Sequence, residues 1–380
     1  MLSFPVDTVI ARNNICNLEN ELQQLFDLAI DSRRVVVFGR RNTGKTSLIL
    51  NGLIPRLQSH HKKCCTVFVD FMGVETEHDA EIRLHRGIET ALKQSFPLKQ
   101  SIKTLLDIAG SLRPTISTDS MTGEISVSIS PIPASREGTL SDLIQNLGRI
   151  HAKMPVFIAF DEFQDISEVP KLAALFRGAL QQLPNDLPVF VCGSKKHLLA
   201  SMFGRHKAPF AGWGRDFIIP AVESDHYKGK YLQYANARLK AVGKIIHKQA
   251  FETLVTLCDG IPESLNIVLD HVYNHFPRGE VEEQEIPIAI VNVVEARRSR
   301  YEEMLLKFSR AEQSILVAIA KNGPISKPKG KYFLQQNANM SPTAVFSNVK
   351  RLERDADIYQ AKDGYVISDP LLGVYLRRFR

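Results

Sequence analysis

Two rhythms of apolar residues run along this chain. Through its first 220 residues, short unbroken apolar runs recur: Val35–Phe38, Thr66-Val67-Phe68-Val69-Asp70-Phe71, Val156-Phe157-Ile158-Ala159-Phe160, Val189-Phe190-Val191-Cys192 and Phe217-Ile218-Ile219. Unbroken rather than alternating hydrophobicity marks strands covered on both faces, so the pattern predicts an α/β fold with a parallel sheet flanked by helices. Residues 97–137 interrupt it. There Thr115-Ile116-Ser117 and Gly123–Ile129 alternate around a polar turn and predict an inserted hairpin, after which Ser141–Lys153 reads as a helix.

From Ser224 the period becomes helical, over Tyr227–Val242, Lys248–Cys258 and Ser264–Phe276, with turns at Asp259-Gly260-Ile261-Pro262 and Phe276-Pro277-Arg278-Gly279. A third unit begins near Glu302. Residues 311–320 form an apolar helix closed by Asn322-Gly323-Pro324, and Ser341-Pro342 opens another with a cap residue and a proline at the first helical position. The runs Ile358-Tyr359-Gln360 and Tyr365-Val366-Ile367 enclose a turn and predict a terminal hairpin. Helices followed by a hairpin give the order of a winged helix-turn-helix. The expected division is therefore 1–222 for the sheet domain, 223–300 for a helical domain and 301–380 for the winged helix.

With 380 residues, 44% hydrophobic and 23% charged, the chain has ordinary globular composition and ample length for such domains. No apolar run reaches bilayer length, and residues 1–30 show no basic segment followed by an apolar one, so a cytoplasmic protein is expected. Five cysteines without C-x-x-C spacing indicate reduced thiols rather than a zinc site or disulfide framework. The net charge of +7 is uneven: residues 321–380 hold eleven Lys and Arg against five Asp and Glu. An excess of six in that stretch points to a polyanionic partner at the C-terminal end.

The candidate chemistry starts at Gly39-Arg40-Arg41-Asn42-Thr43-Gly44-Lys45-Thr46, which fits the phosphate-loop pattern G-x-x-x-x-G-K-[ST] between a strand and a helix. In such a loop, backbone N–H groups and the helix N-terminus cradle phosphate. Gly39, Asn42, Thr43, Gly44, Lys45, Thr46 and Ser47 are the expected nucleotide contacts, with Lys45 reaching the β- and γ-phosphates and Thr46 ligating magnesium. Arg40 and Arg41 occupy positions free to vary and receive no role. The strand Val156–Phe160 ends in Asp161-Glu162. Asp161 is expected to join Thr46 at magnesium and Glu162 to orient the water attacking the γ-phosphate. Ser194, after the next strand, is a candidate sensor of the γ-phosphate or holder of that water. Arg215, just before the last strand, is a candidate arginine finger acting on a neighbouring subunit of a homo-oligomer, with Arg205 as the fallback.

Taken in order, the phosphate loop, Asp161-Glu162, Gly193-Ser194, Gly214-Arg215 before Phe217-Ile218-Ile219-Pro220, Gly260-Ile261-Pro262 and a winged helix carrying Ser368-Asp369-Pro370-Leu371 resemble the archaeal-type ATPases of the STAND branch of P-loop NTPases. These are relatives of AAA+ machines of the origin-recognition and Cdc6 type. The resemblance covers nearly the whole chain. It implies a sheet in the order 5-1-4-3-2 and a lid turn, Gly260–Pro262, that closes over the nucleotide and brings Pro262 to it. No basic residue adjoins that turn in the sequence, and Ala11-Arg12-Asn13-Asn14 stands where such families open with a Gly-Arg-Glu segment.

The expected function is ATP binding and magnesium-dependent hydrolysis, with the nucleotide state controlling engagement of duplex DNA, or of a DNA-acting partner, through the winged helix. Lys350, Arg351 and Lys362 would meet phosphates, and Thr343, Ser347 and Asn348 would meet bases. The alternative is a slowly hydrolysing signalling switch whose C-terminal domain binds proteins. A small-molecule kinase fits less well, since Asp161-Glu162 suits water activation.

Overall fold

The apolar runs fold as strands. In the computed structural model, β1 (Arg34–Phe38), β2 (Cys65–Asp70), β5 (Val156–Asp161), β6 (Val189–Gly193) and β7 (Arg215–Ile218) form one parallel sheet. Between β2 and β5, β3 (Arg113–Thr118) and β4 (Ile125–Ser130) pair antiparallel as the expected hairpin. The structure describes residues 3–16, 18–61, 63–95, 113–118, 125–130, 139–204, 208–328, 330–337 and 340–380. Gly123, Arg205 and Lys329 therefore lie outside the described residues. From one edge to the other the sheet reads β2-β5-β6-β1-β7. With the hairpin set aside this is 2-3-4-1-5, the expected 5-1-4-3-2 seen from the other edge.

Two compact units divide the chain. A sheet unit comprises Leu18–Gly39 and Lys45–Ile219, and a helical unit comprises Met1–Asn17, Arg40–Gly44 and Pro220–Arg380.

The centre of the sheet unit is dry. All six residues of β5 are buried, Asp161 included. Beyond its tip, Phe163 is fully buried, stacks on Phe160 with ring centroids 5.6 Å apart, and meets Phe71, Phe176 and Phe210 edge-on. Burying one such ring contributes about 1.5–3 kcal/mol. That packing pins the chain immediately after Glu162, whose backbone is left-handed at φ 44° and ψ 38°. After the phosphate loop, Lys45–Ser47, a π-helical stretch Leu48–Leu53 and Ile54–His60 run on as one helical segment.

The helical unit has its own core, centred on Tyr231, Phe251, Leu265, Leu269 and Ile290 and continuing through Leu316, Val345 and Tyr375. Within it α1 (Pro262–His275) begins with the proline of the expected lid turn. The winged helix follows as α2 (Arg310–Asn322), α3 (Lys331–Gln336), α4 (Pro342–Arg354), the hairpin β8 (Ile358–Ala361) with β9 (Gly364–Ile367), and α5 (Pro370–Phe379). Its caps are local and legible. Ser309 and Glu312 form a capping box, Ser341 accepts from Ala344 N, and Asp369 accepts from Leu371 N and Leu372 N.

Candidate phosphate-binding and catalytic site

Parallel strands deliver their carboxyl ends to one edge of the sheet, and the sheet unit gathers its polar groups there. The Thr46 hydroxyl donates to Asp161 Oδ2. Lys45, buried, donates from Nζ to the carbonyl of Gly39, 3.0 Å away. Burial pushes Asp161 up from the ordinary aspartate range; the bond from Thr46 and the charge of Lys45 pull it back, while adjacent Glu162 adds to the rise. A hydroxyl beside a buried carboxylate is a hard-oxygen pair of the kind that holds magnesium through one or two protein ligands, with phosphates and water completing the shell. Among the described residues no group of three or more His, Cys, Asp or Glu forms a metal cage by itself, and a magnesium–nucleotide site requires none.

Glu162 is held from one side. Ser194 Oγ donates to its Oε2 at 2.9 Å, and Gln164 Nε2 donates to the same oxygen at 2.5 Å. Gln164 Nε2 also reaches Asp165 Oδ1 at 3.1 Å, an oxygen shared with Lys195 Nζ at 3.0 Å, and Asp165 Oδ2 accepts from Gly73 N at 2.8 Å. Asp70 lies opposite Asp161 in register at the end of β2. Burial raises its carboxyl, and Glu162 and Asp165 add to that rise. The edge thus gathers four acids and two lysines, where sequence reasoning had found two acids and one lysine. Asp70, Gln164, Asp165 and Lys195 were missed. Each is an ordinary polar residue near a strand end, and only the sheet order brings them together.

Ser194 sits where expected, at the tip of β6, but its hydroxyl engages Glu162. Arg215 does not join the group. It is the first residue of β7, exposed, and pairs in register with Val35, so it occupies the amino end of the sheet, away from the strand tips. The first residue of a parallel strand lies at the end opposite its carboxyl tip, in keeping with its expected place just before the Phe-Ile-Ile run and with a role across a subunit contact rather than in its own site.

The loop residues Arg40–Gly44 group with the helical unit. Asn42 and Gly44 take positive φ, 65° and 88°, and Thr43 Oγ1 donates to the Arg40 carbonyl at 2.8 Å. Arg40, assigned no role from sequence, is fully engaged. Its Nη2 meets Asp259 Oδ2 at 2.6 Å, its Nη1 meets the Asp259 carbonyl at 3.2 Å, and the guanidinium lies 4.1 Å from the centre of the Tyr359 ring. Tyr359 donates its hydroxyl to Asp259 Oδ2 at 2.5 Å; burial and that bond push the phenol above its ordinary range. A cation therefore does stand beside the Asp259–Pro262 turn, supplied from 219 positions earlier. Arg41 and Asn42 line a cleft of about 440 Å³ within the helical unit, together with Glu263, Ser264, Arg300 and Asp369. Pro262 itself starts α1 and accepts from the Tyr231 hydroxyl at 3.2 Å.

On the winged helix, Thr343, Ser347, Lys350, Arg351 and Arg354 form the exposed face of α4, and Asn348 turns its amide to the Ala344 carbonyl. Lys350 pairs with Glu353 at 2.7 Å and Arg351 with Glu312 at 3.1 Å, while Lys362 stands exposed at the hairpin turn.

The fold and the site together define a class: a P-loop NTPase sheet with a C-terminal winged helix. Residues 299–378 match a family model described as "Probable winged helix domain". Over 97% of its length, and of that chain's, the protein is similar in structure to a Walker-type ATPase of Pyrococcus abyssi, at 19% identity and a TM-score of 0.66. Looser likenesses are to Cdc6p from Pyrobaculum aerophilum (12% identity, 95% and 94% of the two chains, TM-score 0.41) and the RuvB Holliday junction branch migration motor of Thermotoga maritima (10%, 94% and 94%, 0.43). No curated protein matches. Among the described residues no helix is long and apolar enough to cross a membrane.

Proposed function

We propose that this chain binds ATP with magnesium and hydrolyses it. The observation that carries the reading is the contact of Thr46 with buried Asp161, beside Lys45 and directly followed by Glu162. Magnesium, when bound, would neutralise charge between the phosphates, with Thr46 and Asp161 as its protein oxygens. The loop amides of Gly39 to Ser47 and the Lys45 ammonium bind the phosphates. Glu162 orients the attacking water and takes up its proton. The Walker-type ATPase from Pyrococcus abyssi, similar over nearly the full length, supports the same reading. The chain organisation we favour keeps three domains in sequence, 1–222, 223–300 and 301–380, except that the first residues pack into the helical unit, with Pro262 in the lid and a STAND-type architecture. The winged helix is then the output. Arg215, exposed at the start of an edge strand, remains the residue to contribute across a subunit contact.

The decisive measurement is γ-phosphate release by purified protein. Glu162→Gln keeps nucleotide binding and loses about 10²-fold or more in kcat. Unchanged release in that variant refutes hydrolysis through Glu162.

For the output, duplex DNA is the partner favoured by the exposed face of α4 and the basic excess of residues 321–380. Affinity should then fall steeply as salt rises, and Lys362→Ala should reduce the slope of log affinity against log salt by about one. Salt-insensitive or absent DNA binding favours a protein partner instead. That second reading draws on the pairing of Lys350 with Glu353 and of Arg351 with Glu312, which neutralises two of the cations expected on phosphate.

A further inference from the structure

Gln164 is the most enclosed polar side chain at the edge of the sheet, with no exposed surface. Its amide orientation is set by chemistry. Nε2 faces two carboxylate oxygens, Glu162 Oε2 and Asp165 Oδ1, and only the NH₂ end can donate to both. The other end then has no hydrogen-bond partner: Oε1 is buried and unsatisfied among the described residues. A buried amide oxygen without a partner is an exception that calls for an explanation.

The space for it is made by Gly193, the last residue of β6. A Cβ built there would stand 2.0 Å from Gln164 Oε1 and 2.7 Å from Leu199 Cδ1. Fully buried Phe163 anchors the turn between Glu162 and Gln164. Both donors, Gln164 Nε2 and Ser194 Oγ, converge on the same oxygen of Glu162. Among the described residues no hydrogen bond to Glu162 Oε1 is found.

We propose that Gln164 is a positioning residue for hydrolysis: with Ser194 it fixes Oε2 of Glu162, so that Oε1 alone is presented to the reacting water. The inference rests on the reading of Glu162 given above. Asp165, held by Lys195 and the Gly73 amide, is the post against which Gln164 is braced. The arrangement converts a freely rotating carboxylate into one with a single available oxygen, which is the form of preorganisation a water-orienting group requires.

The test is steady-state hydrolysis with separate kcat and KM, nucleotide binding measured independently, and melting curves as a check of folding. Gln164→Met keeps the volume and removes the donor. It should lower kcat about tenfold or more, with KM and nucleotide affinity changed by less than about twofold. Gly193→Ala, which displaces Gln164 without touching Glu162, should act in the same direction. In a Glu162→Gln background, Gln164→Met should change the residual rate by less than about twofold, because its whole effect passes through the carboxylate. A merely structural role would lower the residual rate in that background as well, and overturns the proposal. So does wild-type kcat in Gln164→Met when Glu162→Gln is inactive. A rise in kcat also overturns it, since the bonds would then restrain Glu162. Undiminished hydrolysis in Glu162→Gln itself refutes the underlying reading and the proposal with it.

Discussion

Asp161 carries a conflict between burial and charge. Its folded carboxyl titrates above the ordinary aspartate range, chiefly because of burial. A group whose pKa is raised in the folded state binds its proton more tightly there than in the unfolded chain, so the ionised form costs stability at neutral pH. Asp161→Asn removes that cost while Asn Oδ1 can still accept from Thr46. The expected outcome is a higher melting temperature at neutral pH in protein without nucleotide, together with loss of hydrolysis. A lower melting temperature would show that the charge is already well compensated by Lys45 and Thr46. Asp161 and Thr46 were legible in the sequence because fixed motif positions reveal them. Gln164 and Lys195 were not, since neither position belongs to a motif and the interaction of Lys195 with Asp165 spans 30 residues. Arg215 was legible as the residue just before the last strand, which in a parallel sheet is its amino end; the partner it would meet was not.

At the scale of elements, strands and caps were the readable part. Unbroken Val/Ile/Phe runs have one good solution in an α/β chain, and Ser341-Pro342 and Ser309…Glu312 are helix starts written in local chemistry. The π-helical stretch Leu48–Leu53 left no such trace, since its apolar residues are equally compatible with α-helix. The last helix, α5, offers a test of a cap under electrostatic load. Asp369 accepts two backbone N–H bonds at its start, yet enclosure pushes its carboxyl upward despite those bonds and the nearby Arg300 and Arg297. Stability from this group should therefore increase as pH falls from the raised folded value toward the unfolded value near 3.8. Asp369→Asn keeps the cap and should flatten that part of the stability–pH curve. Asp369→Ala loses the cap as well, at about 1 kcal/mol. Melting temperatures of the three proteins across the acidic range separate the two contributions. Equal curves for wild type and Asp369→Asn would refute the assignment.

For the molecule as a whole, the least legible feature is the company kept by its first residues. They were expected with the sheet domain, and the contacts group Met1–Asn17 with the helical unit. Phe4 is buried in that unit's core and meets Tyr234 and Tyr273 edge-on, and Pro5 accepts from Asn266 at 3.1 Å. Asp7 is bonded by Arg297 and Arg300, which together outweigh burial and hold its carboxyl below the usual range. No local pattern announces partners some 260 positions away. A fragment of residues 220–380 should accordingly melt below the same fragment joined to residues 1–17, and Phe4→Ala in the full chain should cost about 3–5 kcal/mol, read by chemical denaturation. Equal stability of the two fragments would show the segment to be dispensable.

The same segment sets a schedule for biosynthesis. Its residues leave the ribosome well before Asn266, Arg297 and Arg300, which emerge only after more than two hundred further residues have been translated. At about 5–20 residues per second, the interval is on the order of ten seconds or more. Throughout it Phe4 has no native place to go, and the sheet unit can fold before the segment finds its partners. Completion of the helical unit is thus a late event, joining residues some 260 positions apart.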